Sequence, residues 1–66
     1  MNLSQLYYFK KLAELQHYTK AAKELYISQP SLSDSMSSLE KELGVTLFQK
    51  EGRTTRLTKY GSEFYE

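Results

Sequence analysis

The stretch Thr19 to Leu43, TKAAKELYISQPSLSDSMSSLEKEL, constrains what the rest of the chain can be. It reads as a short helix, a tight turn around Tyr26 and Ile27, and a longer helix with a serine-rich face. Thr19 is expected to cap the short helix, and Ala21, Ala22 and Leu25 give its inner face. Paired alanines make a small surface that lets two helices cross closely, and Ile27 supplies an apolar plug at the turn. Ser28 reads as the N-cap of the longer helix, with Pro30 in its first turn, where a missing N–H costs nothing. Leu32, Met36, Leu39 and Leu43 follow at helical spacing and form its buried stripe. Two helices joined this tightly make a helix-turn-helix, whose second helix usually enters a DNA groove.

The other face of that helix carries Gln29, Ser31, Ser33, Asp34, Ser35, Ser37 and Ser38. Serine is a mediocre helix former, so this face is not optimised for helix stability. It is short and polar, and such a face approaches base edges closely. Gln29 suits adenine N6 and N7, and the serines suit base or phosphate. Ordinary solvated helix faces favour Lys, Glu and Arg, as Glu40, Lys41 and Glu42 do here.

The flanking segments are expected to support this pair. Asn2 or Ser4 can start a first helix whose stripe is Leu3, Leu6, Phe9, Leu12 and Ala13, ending near Gln16. His17 reads as a surface or capping residue beside the negative end of that helix. Gly44 ends the long helix. Val45 to Lys50 then reads as a strand, Glu51-Gly52 as a turn, and Arg53 to Leu57 as a returning strand. Such a hairpin is a wing, marginal alone, so Leu47, Phe48 and Leu57 must pack on the helices. Its tip would display Lys50, Arg53 and Arg56 to phosphate or minor groove. Thr58 caps a further helical start with Tyr60 and Phe64 on one stripe. That helix stops without a stop signal, so the chain reads as a fragment. The expected fold is mainly α, a winged helix-turn-helix of three helices, a short two-stranded wing and the start of a linker helix.

Length and composition exclude much else. At 66 residues the chain is one domain at most. With no cysteine and one histidine, neither a disulfide framework nor a Cys/His metal site is available. The N-terminus has no apolar run long enough for a signal peptide or membrane span, so a soluble, cytoplasmic protein is expected. No cofactor, metal or catalytic residue is expected: His17 has no partner base or nucleophile, and there is no glycine-rich phosphate loop. The net charge of +1 is low for a nucleic-acid domain, although Lys50, Arg53, Arg56 and Lys59 gather near the wing. That low charge, with six tyrosines, favours the alternative of a winged-helix protein-interaction module. Against it, Tyr8 and Tyr26 are expected simply to border the core.

Four motifs together resemble the N-terminal domain of LysR-type transcriptional regulators along essentially the whole chain. They are LxxLxYF as Leu3, Leu6, Tyr8 and Phe9; TKAAKEL followed by ISQPSLS; LEKELGVTLFQK; and Arg53 before LTKYG. The resemblance implies a winged helix over 1–57 that binds a dyad-symmetric, double-stranded operator as a dimer. It also implies a linker helix beginning in 58–66, a homo-oligomer in the full-length protein with a monomer left open for this fragment, and a small-molecule effector bound only by a C-terminal domain absent here. Gln29, Pro30, Ser31 and Ser33 would then be the groove-facing start of the recognition helix, Thr19 and Lys20 would face the backbone, and Arg53 would be the wing contact. The full set of DNA-facing candidates adds Ser28, Asp34, Ser37, Lys50 and Arg56. Asp34 and Ser35 depart from the family pattern, which often has a basic or amide residue there. A carboxylate accepts from cytosine N4 but is repelled by phosphates. Lys50 replaces a common arginine, losing the bidentate fork, and Tyr60 replaces a frequent small residue.

Overall fold

Asn2 starts the first helix, its side chain accepting from the Gln5 N–H at 2.8 Å. This helix, α1, spans Leu3–Leu15 and ends in a left-handed Gln16. The computed structural model describes residues 1–52 and 54–65. After α1 come α2 (Tyr18–Leu25), α3 (Gln29–Leu43), strands β1 (Phe48–Glu51) and β2 (Thr54–Leu57), and α4 (Lys59–Tyr65). The architecture is the expected winged helix-turn-helix, with a fourth helix, α4, following the wing.

The core is one cluster: Phe9, Leu12 and Ala13 from α1, Ala21 and Ala22 from α2, Leu32, Met36 and Leu39 from α3, and Leu47 and Phe48 before and in β1. Leu25, Ile27, Leu43 and Leu57 border it. Phe9 lies at the junction with α4, its ring centroid 5.3 Å from Phe48 and 5.0 Å from Phe64.

Several expectations are corrected. Leu3 is 84% exposed and Leu6 37% exposed, whereas Gln5 is buried. At about 100° per residue, Leu3 lies far round α1 from the Gln5–Phe9–Leu12 line that faces α3. Gln5 is partly satisfied there: its Nε2 donates to the Ser35 carbonyl at 3.3 Å, while its Oε1 is buried without a hydrogen-bond partner among the described residues. The N-cap of α2 is His17, not Thr19: His17 has extended backbone and its Nδ1 accepts from the Lys20 N–H at 3.3 Å. Tyr26, expected to border the core, is 94% exposed in a left-handed conformation with φ 58°. There its N–H bonds back to the Ala22 and Lys23 carbonyls and closes α2. Tyr60 is also exposed, and Gly61 and Phe64 form the inner face of α4 instead.

The hairpin is antiparallel and pairs Phe48 with Leu57, Gln49 with Arg56, Lys50 with Thr55 and Glu51 with Thr54. β1 begins three residues later than Val45. Glu40, expected among the solvated residues, explains the delay: its Oε2 accepts from the Leu47 N–H at 2.7 Å and the Phe48 N–H at 3.2 Å. Those donors therefore serve α3 at the point where sheet pairing starts. The wing's other edge is tied to α1, with the Thr55 N–H donating to the Gln16 carbonyl at 3.0 Å.

Candidate nucleic-acid interface

The Ser28 hydroxyl caps α3, accepting from the Ser31 N–H at 3.1 Å and contacting the Ser31 hydroxyl at 2.9 Å. Pro30 occupies the first turn and Gly44, with φ 75°, ends the helix as read. With Leu32, Met36 and Leu39 buried, Gln29, Pro30, Ser31, Ser33, Asp34 and Ser37 are all exposed. At 100° per residue, Asp34 falls opposite the buried stripe, on the crest of the helix. Gln29 and Ser33 lie one turn apart on the flank toward the wing.

That flank forms one wall of a cleft of about 620 Å³. The start of α2 supplies a second wall through His17, Tyr18 and Thr19, and the wing supplies a third through Lys50, Gly52, Thr54 and Thr55. The cleft therefore brings together Thr19, Gln29, Ser33 and Lys50 from the sequence-read set. Thr19 and Gln29 touch directly, the hydroxyl lying 3.2 Å from Gln29 Oε1. Lys20 is exposed on the adjoining turn of α2. Asp34 and Ser37 line a more open concavity toward the C-terminal end of α3 with Lys41, Thr46 and Glu40, the last of which also lines the cleft.

The wing residues divide. Lys50 pairs with Thr55, and strand alternation puts both on the hairpin face that carries Phe48. Arg56 lies on the opposite face beside Gln49, and its guanidinium is 3.6 Å from the Glu51 carboxylate. Lys50 and Arg56 thus do not act on one surface, and Arg56 carries a neutralising partner. Arg53, the third wing candidate, lies outside the described residues.

Sequence reading missed Tyr18, Glu40 and Thr55. Glu40 and Tyr18 line the back of the cleft, where burial, and secondarily the Glu40 carboxylate, raises the Tyr18 hydroxyl above its ordinary pKa. Thr55 is buried, its side chain donating to the Gln49 carbonyl at 3.4 Å. No periodicity marks these residues; only the fold brings them together. Among the described residues, no helix is long and apolar enough to cross a membrane.

Known proteins share this arrangement. The family described as bacterial regulatory helix-turn-helix protein, lysR family, matches residues 3–62. The uncharacterized HTH-type transcriptional regulator YybE of Bacillus subtilis (strain 168) is 53% identical over 64 residues, 97% of this chain and 22% of that protein. The chain spans less than half the length of the curated relatives first matched, all of them transcriptional regulators. CbnR_DBD, in its crystal structure with DNA, superposes with a TM-score of 0.94 at 40% identity, covering 98% of this chain and 75% of that one. BenM_DBD with benA site 1 DNA gives 0.92 at 43% identity, covering 98% and 76%. The chain belongs to the LysR family of bacterial regulatory helix-turn-helix proteins.

Proposed function

We propose that the chain binds double-stranded DNA with sequence preference, as the DNA-binding domain of a LysR-type transcriptional regulator. Helix α3 enters the major groove, and the wing lies on flanking backbone or minor groove. The observation that carries this reading is the 0.94 superposition on CbnR_DBD, a domain solved with DNA, over 98% of the chain. An exposed α3 face of short polar side chains supports it, since such a surface can reach base edges. Lys20 and Lys50, with Arg53 as read from the sequence, supply phosphate contacts, while the Gln29-to-Ser37 face supplies specificity.

Residues 1–57 form the DNA-binding unit in this reading, and 58–66 begin a linker helix through which two copies pair on a dyad-symmetric operator. A small-molecule effector would act through a C-terminal domain, and the whole protein would work by binding rather than catalysis in the bacterial cytoplasm. The test is fluorescence anisotropy on random duplexes across a salt series, with selection of the tightest binders. Retained duplexes sharing a motif, with affinity falling as salt rises, are the expected result. Salt-insensitive capture of a protein, without DNA binding, would instead support a protein-interaction module.

A further inference from the structure

Gln29 has been read as a bidentate ligand for adenine, a contact that uses both ends of the amide. Its carbonyl would accept from N6–H and its N–H would donate to N7. The structure gives the carbonyl another partner. Gln29 Oε1 lies 3.2 Å from Thr19 Oγ1, and because an amide oxygen has no hydrogen, the hydroxyl is the donor. Thr19 is free to do this because His17, not Thr19, caps α2. Ser28, the nearest hydroxyl in sequence, is itself occupied by Ser31. The amide is thereby oriented before any ligand arrives: both Nε2 donors are left for that ligand, while Oε1 keeps only one of its two lone pairs and is the weaker acceptor for it.

We propose that Thr19 is a positioning residue that fixes the polarity of Gln29. Gln29 then presents donors to a base edge carrying two acceptors, guanine N7 and O6, in preference to the mixed edge of adenine. This deepens the DNA-binding reading and rests on it. The arrangement departs from a backbone-contact role for Thr19, which would affect all sequences equally. Both side chains are exposed, so their substitution leaves the core intact.

The experiment selects preferred duplexes with the unsubstituted chain and then compares Thr19→Val, Thr19→Ser, Gln29→Ala and Gln29→Glu on single-base variants of the selected site. Gln29→Ala identifies the base pair that Gln29 reads. At that pair guanine should be favoured over adenine by about tenfold. Thr19→Val should reduce that preference about fivefold at the same pair and at no other, the worth of one hydrogen bond. Thr19→Ser should restore it. Gln29→Glu keeps the acceptor for Thr19 but has no donor, so it should abolish the preference as fully as Gln29→Ala. Adenine preferred at that pair, no pair depending on Gln29, or Thr19→Val weakening all duplexes equally would each overturn the assignment. If the unsubstituted chain itself showed no sequence preference, the DNA-binding reading would fall, and this inference with it.

Discussion

Between α2 and α3 the chain relies on apolar side chains of complementary size; between α3, the wing and α4 it relies on single polar atoms and one glycine. Ala21 and Ala22 of α2 share one buried apolar cluster with Leu32 and Met36 of α3, in which no one atom is decisive. At the wing, one Glu40 oxygen holds two backbone donors. The Leu47 carbonyl accepts from the Thr58 N–H at 3.0 Å, and Thr58 Oγ1 both donates to the Thr46 carbonyl and accepts from the Gly61 N–H. A Cβ at Gly61 would stand 2.1 Å from that same Leu47 oxygen. The first region can adjust by small shifts of many atoms. The second has few contacts, and each is specific.

Substitutions can break the comparison. Leu32→Ala in the apolar region should cost the most, about 4 kcal/mol, because the side chain is fully buried between α2 and α3. A core of this size yields roughly 3–5 kcal/mol of net stability, so urea titration should find this variant largely unfolded. Gly61→Ala adds only a methyl, yet should cost about 3 kcal/mol, since the backbone oxygen it meets is committed to Thr58. A Gly61→Ala protein as stable as its parent would mean that α4 shifts freely on β1, and the wing junction would be as adaptable as the apolar region.

The same division explains what the sequence disclosed. The Leu32–Met36–Leu39 stripe, the Ser28 cap and the Gly44 stop are local patterns, and all are found in α3. The fold class followed from them. Of the interface, the exposure of Gln29 and Ser33 was legible because it is the complement of that stripe, and that of Lys50 because it stands near the polar tip of the wing. Glu40 was not, because its partners Leu47 and Phe48 are reached only after the chain turns at Gly44. His17 displaced Thr19 as the α2 cap because an imidazole nitrogen accepts as well as a hydroxyl, a possibility that ranked cap preferences leave out. Leu3 and Leu6 misled because apolar identity was weighed above angular position. Helix α1 buries Gln5 in their place once the Ser35 carbonyl offers it a partner.

Glu40→Ala sharpens the comparison at intermediate size. Removing the carboxylate leaves the Leu47 and Phe48 donors without their partner and should cost about 2 kcal/mol. Glu40→Gln retains one acceptor oxygen without its charge, and should cost about half as much. Hydrogen exchange distinguishes local from global loss: the Leu47 and Phe48 amides should lose protection before those of α2. Uniform loss across α2, α3 and the wing would show instead that the two regions unfold as one unit.

The smallest effect tests the seam where the regions meet. Tyr18 belongs to α2 but packs on Phe48 of the wing, ring centroids 6.5 Å apart, with Glu40 nearby. Burial first, and the Glu40 charge second, raise its pKa in the folded chain. The unfolded state therefore loses this proton at a lower pH, about 10, while the folded state still holds it. The stabilising contribution is complete below about pH 10 and declines as pH rises toward the folded pKa. Thermal melts across that range should show Tm falling more steeply in the parent than in Tyr18→Phe, which keeps the ring contact and removes the titrating hydroxyl. In Glu40→Gln the Tyr18 contribution should shrink without disappearing, because burial remains as the larger cause. Parallel curves for the parent and Tyr18→Phe would mean that the hydroxyl is solvated in the folded state, and that the seam between α2 and the wing is open to water.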